Sequence, residues 1–274
     1  MVPQFRVISD ERARNLEFAL AFTALGKTIV PIAEKRRNEN RTPSDFLGML
    51  MQARDRETGQ AMPDAQLAKE IMTLIVAGHE TTASALNWTW YLLSQNPDAE
   101  AKLSSELAKL LRNDLPGLDD LKNFTYTRQV IEEALRLYPP GWLMTRRAIR
   151  DDRIGEYFVP AGTEIYISPY HIQRHPGFWE APDRFDPDRF ELDGPKDRSS
   201  TAMLPFSMGP RNCIGEHLAR MEMQIHLMMI GRHLKLRYVA NKPLGLAAGV
   251  NLLSAHDFVM TPERKEPRNE STQL

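Results

Sequence analysis

The chain has 274 residues, and its 35 Lys and Arg nearly balance its 36 Asp and Glu, giving a formal net charge of −1. This balance argues against a nucleic-acid partner, which would favour a strongly basic surface. Hydrophobic residues make up 42% of the chain, enough for a sizeable core. The apolar runs are too short for a membrane span, which needs about 20 residues, and the N-terminal residues lack the features of a signal peptide.

The first half of the sequence predicts helices separated by polar breaks. Asp64 suits the N-cap of a long helix that Pro97 would end, and Pro31 would bend the first helix. The predicted helices cover residues 12–37, 44–51, 65–95, 98–111 and 126–137.

After Pro139 the pattern changes to short strands and turns. Strands are predicted over 142–148, 157–159 and 164–168, followed by a Pro-rich stretch, a helix over 216–230, short strands and a polar tail over 262–274. No repeat or low-complexity linker divides the chain. The sequence therefore predicts a single domain over 1–274, mainly α with a minor β portion.

Cys213 is the only cysteine, which excludes an intramolecular disulfide and a zinc site built from two cysteines. It lies between Gly209 and Gly215, which allow a tight turn and a close approach of the backbone. Arg211 and the start of the following helix favour a thiolate. The pattern indicates a single-thiolate ligand or nucleophile, with a buried, unreactive thiol as the alternative.

The segment 206–215, Phe-x-x-Gly-x-Arg-x-Cys-x-Gly, resembles the heme-ligand loop of the cytochrome P450 family. The resemblance implies that Cys213 is the axial ligand of a heme b iron (iron protoporphyrin IX). It also implies that Phe206 covers the sulfur, that Arg211 pairs with a heme propionate, and that Gly209 and Gly215 give the heme room.

A polar run, Ala-Gly-His-Glu-Thr-Thr at 77–82, interrupts the apolar pattern in the middle of the 65–95 helix. It lacks the second histidine of the zinc motif His-Glu-x-x-His, because position 83 is Ala. An exposed helical turn is the plain alternative. The run matches the family's oxygen-activation motif, which implies that Gly78 leaves space for the heme, Thr81 orients dioxygen, and Glu80 helps to deliver protons.

Glu133 and Arg136 are three residues apart on one helix face, a spacing common in surface ion pairs. The family joins such a Glu-x-x-Arg pair to an Arg or His of a Pro-x-x-Phe loop, and the sequence has Pro-Asp-Arg-Phe at 187–190. The resemblance therefore implies a buried structural triad of Glu133, Arg136 and Arg189.

Arg146 matches the family's strand arginine that pairs with a heme propionate, and Arg147 is the competing candidate. Gln173 stands where the family frequently has a histidine, which argues against a role for position 173. The four motifs at 77–82, 133–136, 187–190 and 206–215 occur in the family's order.

The resemblance implies a heme-dependent monooxygenase of P450 fold, with the heme between the 65–95 helix and the Cys213 loop. One atom of dioxygen would enter a hydrophobic small molecule, with NADPH or NADH electrons delivered by a separate reductase or ferredoxin. The expected substrate-pocket residues are Thr73, Val76, Ala77, Trp142, Leu143, Met144 and Leu253.

Family members are considerably longer, so we expect the N-terminal part of the fold to be missing. The main alternative is thus a truncated, catalytically incompetent heme-thiolate fragment; a second alternative uses peroxide and needs no electron donor. A bacterial source would imply a cytoplasmic protein, while the sequence leaves membrane anchoring of a longer form open.

Overall fold

Helices dominate the structure, as the sequence predicted. The computed structural model describes residues 5–6, 11–38, 45–111, 117–191, 200–239 and 244–265. The helices are α1 (Glu11–Asn38), α2 (Phe46–Gln52), α3 (Asp64–Gln95), α4 (Pro97–Leu110), α5 (Thr125–Leu137), α6 (Pro169–Ile172) and α7 (Glu216–Gly231). The longer predicted helices thus begin and end within one or two residues of the observed ones.

In the described part of the chain, nine short strands form small sheets. They are β1 (Phe5–Arg6), β2 (Met144–Arg147), β3 (Asp152–Ile154), β4 (Tyr157–Val159), β5 (Glu164–Ile167), β6 (Leu234–Tyr238), β7 (Leu246–Ala248), β8 (Leu252–Ser254) and β9 (Met260–Arg264). Among the described residues, β7 pairs with parallel β1 and antiparallel β8, and the other pairs, β2–β5, β3–β4 and β6–β9, are antiparallel.

The described residues fall into two compact units. One comprises residues 8–80, and the other comprises residues 1–7 and 81–274. Helix α3 passes from the first unit to the second at Glu80 and Thr81. We refer to them below as the small unit and the large unit.

The core of the large unit is built around α5, which packs against α4, α7 and the turn at 187–190. Val130, Ile131 and Ala134 give α5 an apolar stripe at helical spacing, and all three side chains are at most 1% exposed. Glu106 of α4 accepts hydrogen bonds from the backbone N–H groups of Tyr126 (2.6 Å) and Thr127 (2.8 Å), which satisfies free donors at the start of α5.

A second cluster of the large unit surrounds Trp88 of α3. Its ring is fully buried and stacks on Tyr138 with 3.9 Å between ring centroids. Leu246 and Leu252, from β7 and β8, complete this cluster together with Tyr170. The C-terminal hairpin is thereby fixed to the second half of α3.

In the small unit, α1 packs on the start of α3 through Ile29, Ala33 and Leu67, all of them buried. Two arginines near the end of α1 form ion pairs in the same unit, Arg36 with Asp45 at 2.5 Å and Arg37 with Asp64. None of the described helices is both long enough and apolar enough to cross a bilayer.

Two features of the structure differ from the sequence prediction. A hairpin of β3 and β4 turns through Gly155, whose φ is +60°, and only its second strand was predicted. The polar tail was predicted from residue 262, but its first residues belong to β9 and pair in register with β6, with Pro262 opposite Leu236 and Arg264 opposite Leu234. The remainder of that predicted tail, 266–274, lies outside the described residues.

Candidate active site

Cys213 lies on a tight loop three residues before α7, and its thiol is exposed. The loop turns through two left-handed residues, Ser207 (φ +66°) and Gly209 (φ +68°). The Cys213 N–H donates to the carbonyl oxygen of Phe206 at 2.9 Å, closing the turn. The loop therefore presents a single sulfur atom outward from a hydrogen-bonded backbone.

The loop is anchored to the first turn of α7. Gly215 caps this helix, and its carbonyl accepts the first helical hydrogen bond from Ala219 at 2.9 Å. The side chain of Asn212 donates to Glu216 at 2.9 Å. A Cβ atom on Gly215 would lie 3.9 Å from the Cys213 sulfur, an ordinary contact distance. The predicted loop residues Phe206, Gly209, Arg211, Cys213 and Gly215 are thus held within one short turn.

A cavity of about 670 Å³ lies between this loop and β2. Arg146 and Arg147 line it from β2, and Ser207 and Arg211 line it from the loop. Three arginines are among the residues that line this cavity. Arginine forms charge-assisted bonds with carboxylates, so the lining favours a ligand with carboxylate groups. A heme, which is flat and carries two propionates, therefore fits the donors present. Both strand arginines line the cavity, so neither is preferred over the other.

Glu133 and Arg136 form a fully buried bidentate pair, with N–O distances of 2.6 and 2.8 Å. The Nε atom of Arg189 lies 3.4 Å from the same carboxylate, and the backbone N–H of Asp186 donates to it at 2.9 Å. Burial raises the pKa of Glu133, while the hydrogen bond from Arg136 and the other positive partners oppose this shift. The structure thus brings the three predicted residues of the triad together.

The other nitrogen of Arg136 connects the triad to the chain that follows α6. This Nη1 atom donates to the carbonyl oxygens of Gln173 (2.8 Å) and Pro182 (2.7 Å), and the guanidinium carbon of Arg136 lies 4.8 Å from the centre of the Trp179 ring. Arg136 therefore joins α5 to a long irregular segment that would otherwise have few regular backbone partners.

The prediction that position 173 has no role was wrong, because Gln173 connects two segments of the chain. Its side chain is fully buried, and its amide nitrogen donates to the carbonyl oxygens of Leu135 (3.1 Å) and Arg136 (3.0 Å). Its amide oxygen accepts from the N–H of Leu204 at 2.6 Å. An amide has both a donor and an acceptor, so it satisfies backbone groups of two segments at once. Nothing in the local sequence indicates these distant partners.

The predicted oxygen-activation residues lie along α3, where that helix passes from the small unit to the large one. Gly78 and Glu80 are exposed, and a Cβ atom on Gly78 would meet no other atom within 4 Å. Thr81 is half-buried and begins the part of α3 that belongs to the large unit, which also contains Cys213.

Seven residues were predicted to line a substrate pocket. Thr73, Val76 and Ala77 are exposed on α3 in the small unit. In the large unit, Trp142 precedes β2 and donates from its indole nitrogen to the carbonyl oxygen of Gly249 at 2.9 Å. This contact brings the segment containing Trp142, Leu143 and Met144 to the β7–β8 turn, four residues before Leu253.

One carbonyl oxygen, that of Leu252, fixes this arrangement. It accepts hydrogen bonds from the Ser84 hydroxyl (2.8 Å) and the Trp88 indole (3.3 Å), and the Leu252 N–H donates to Pro140 at 3.0 Å. Three segments of the large unit meet there, namely α3, the Pro140–Trp142 turn and the hairpin. No sequence pattern indicates a role for Ser84, because a serine in a helix is most often a surface residue.

The family model described as Cytochrome P450 matches residues 5–249. Cyclooctatin synthase of Streptomyces melanosporofaciens is 38% identical over 226 residues, which cover 82% of this chain and 49% of that protein. Pentalenene oxygenase of Streptomyces avermitilis is 35% identical over 213 residues, covering 78% of this chain and 47% of that protein. The chain thus spans about half the length of these relatives.

Solved structures agree with this similarity. The heme domain of cytochrome P450DA matches 89% of this chain and 55% of that chain, with 27% identity and a TM-score of 0.83. A mutant of the same domain matches 95% of this chain and 57% of its own length, with 26% identity and a TM-score of 0.86.

Proposed function

The chain belongs to the cytochrome P450 family, and we propose that it is the heme-bearing part of a monooxygenase that oxidises hydrophobic organic molecules. The observation that carries this proposal is the exposed Cys213 thiol on its hydrogen-bonded loop, next to a cavity lined by Arg146, Arg147 and Arg211. One ligand for iron and several partners for carboxylates are what a thiolate-ligated heme b requires.

In this proposal Cys213 binds the heme iron as a thiolate, and Arg211 pairs with a propionate together with Arg146 or Arg147. Gly209 and Gly215 have no side chains, so the backbone of the loop would allow a flat group to approach it closely. When bound, the heme supplies the activation of dioxygen, a chemistry that amino-acid side chains lack. The family's heme-thiolate chemistry is the reason for assigning Cys213 to the metal rather than to nucleophilic attack.

The reaction consumes one substrate C–H bond, one dioxygen, two electrons and two protons, and yields an alcohol and one water. Glu80 is exposed on α3, and Thr81, one residue later, has a hydroxyl that both accepts and donates hydrogen bonds. We assign proton delivery to these two residues. The electrons come from NADPH or NADH through a separate reductase or ferredoxin.

The substrate is proposed to be apolar, because most of the residues proposed for its pocket are apolar. Trp142 and Met144 are half-buried, and Leu143 is 37% exposed. Two relatives are named pentalenene oxygenase and cyclooctat-9-en-7-ol 5-monooxygenase. Pentalenene and cyclooctat-9-en-7-ol are therefore the first compounds to test.

The deciding experiment is the absorption spectrum of the reduced, carbon-monoxide-bound chain, before and after Cys213→Ser. We expect the parent to show the thiolate-type spectrum and the variant to lose it completely, because a neutral hydroxyl does not replace an anionic sulfur. A parent chain that takes up heme without that spectrum, or a variant that retains it, overturns the proposal.

Thr81→Ala tests the proton-delivery assignment. We expect heme binding to persist while product formed per NADPH consumed falls and peroxide rises, because the hydroxyl orders proton transfer rather than holding the heme. Thr82→Ala, at the neighbouring half-buried hydroxyl, is the matched control. If the parent and Thr81→Ala form the same amount of product per NADPH consumed, the assignment is wrong.

The second candidate function is a heme-thiolate protein without turnover. It is favoured by the length of the match, about half of each curated relative. A thiolate-type spectrum without product, in the presence of a reductase and both test compounds, would select this candidate over the monooxygenase.

A further inference from the structure

Arg220 of α7 lies at the centre of a charged cluster behind the Cys213 loop. Its guanidinium carbon is 4.7 Å from the centre of the Phe206 ring, and its Nε and Nη2 atoms are 3.3 and 3.1 Å from Glu216. Its third nitrogen forms an ion pair with Glu132 of α5. We call Arg220, Glu132 and Glu216, with the Phe206 ring, the Arg220 cluster.

The cluster joins three parts of the large unit, namely α5, α7 and the loop. Phe206 is the loop residue whose carbonyl accepts the Cys213 N–H, so one residue bonds Cys213 through its backbone and Arg220 through its ring. A planar guanidinium both stacks on an aromatic face and binds carboxylates along its edge, which a lysine ammonium does not do.

The Arg220 side chain is 28% exposed, and its partners Glu132 and Glu216 are 15% and 25% exposed. Burial, followed by repulsion from Arg128, lowers the pKa of Arg220 to about 10. The guanidinium therefore remains charged at neutral pH. In this partly dehydrated position, its charge is screened less than that of an exposed arginine.

We propose that Arg220 is a positioning residue that holds Phe206 against the Cys213 loop and raises the reduction potential of the iron bound there. This proposal depends on the heme-thiolate function proposed above. Hydrogen bonds and charges close to a ligating sulfur are known to tune the potential of its metal. Without Arg220, Glu132 and Glu216 would leave excess negative charge behind the loop, which disfavours the added electron.

The test is the midpoint potential of the heme-loaded full chain and of three variants. We expect Arg220→Gln to lower the equilibrium constant for reduction about tenfold, equivalent to 59 mV for a one-electron couple. Arg220→Lys keeps the charge but not the planar stack, so we expect it to recover part of that loss. Glu132→Gln removes a negative charge and should shift the potential upward.

Arg237→Gln is the matched control. Arg237 of β6 also bridges two carboxylates, those of Glu100 and Glu263, and it is 33% exposed. We expect this variant to lose stability as Arg220→Gln does, with the potential unchanged. If the midpoint potential of Arg220→Gln equals that of the parent, the cluster only stabilises the fold. The same conclusion follows if the potential falls in both Arg220→Gln and Glu132→Gln.

The direct contact is tested by urea unfolding of the heme-free chain, with Arg220→Lys and Phe206→Leu alone and combined. Each single change removes the same stack, so the combined variant should lose less stability than the two single losses together. We expect this difference to be about threefold in the folding equilibrium constant. Additive effects overturn the positioning role even if Arg220→Gln fails to fold. A parent without a thiolate-type spectrum refutes the proposed function and the claim about the potential, whereas a normal spectrum with unshifted potential refutes only the role of Arg220.

Discussion

The Glu133–Arg136 pair and the Cys213 loop belong to the same unit, yet they are built in opposite ways. Both side chains of the pair are 0% exposed, and their bonds reach several chain segments. The loop has an exposed thiol, and Ile214 beside it is 78% exposed. We call the Glu133–Arg136 pair the frame. A buried, hydrogen-bonded frame and an exposed loop thus occur in one unit, as expected when a rigid scaffold presents a binding group.

The largest effect should come from breaking the frame. Arg136→Met leaves the Glu133 carboxylate buried with only Arg189 and one backbone N–H as partners, so we expect the free energy of unfolding to fall by about 3–5 kcal/mol. Urea unfolding of the heme-free chain measures it. Cys213→Ser is the control and should change the same quantity by less than about 0.5 kcal/mol, as expected for an exposed site.

Comparable losses in these two variants would contradict the division between frame and loop. A heme-free Arg136→Met chain that unfolds at the parental urea concentration would show that the pair contributes nothing, whatever its burial.

A middle-sized effect is expected at Gln173. Gln173→Ala leaves the Leu204 N–H and two carbonyl oxygens of α5 without their partner, which should cost about 2–3 kcal/mol of unfolding free energy. Gln95→Ala, at an exposed glutamine, is the matched control and should have almost no effect. A Gln173→Ala loss no greater than that of the control would mean that water replaces all three bonds.

The smallest effects are expected at two glycines, Gly209 in the loop and Gly78 in α3. Gly209→Ala places a Cβ atom at φ +68°, which should cost about 1 kcal/mol although no atom lies within 4 Å of it. Gly78→Ala also meets open space, but in a helix interior, so it should stabilise the heme-free chain by about 1 kcal/mol. The same sign in both variants would show that local backbone conformation does not decide these two positions.

The sequence predicted most of the helices because their start and stop signals are local. Asp45 accepts a hydrogen bond from Gly48 at the start of α2, and Pro97 begins α4 two residues after α3 ends at Gln95. The β3–β4 hairpin did have a signal, since Gly155 is the first residue of its two-residue turn. The first strand of this hairpin, β3, was not predicted because its three residues are exposed and do not alternate between apolar and polar.

Within the candidate site, the loop and the triad were predicted through family resemblance, and the polar connections between segments were not. Ser84 binds the carbonyl of a residue 168 positions away, and Gln173 binds a backbone N–H 31 positions away. Arg220 is seven residues after Cys213 and looks like an ordinary helix-surface arginine in the sequence. Such contacts depend on how elements pack, so no periodicity or motif in a single sequence encodes them.

The exposure of the only thiol also limits what oxidation does to this protein. A disulfide needs two sulfur atoms, so a disulfide between copies of this chain must join them through Cys213, and it links no more than two copies. In such a dimer both Cys213 sulfur atoms are in the disulfide, so neither is available as the proposed iron ligand. We expect a heme-free preparation handled in air to contain monomers and disulfide-linked dimers, which a reductant converts back to monomers. A non-reducing gel measures the two fractions.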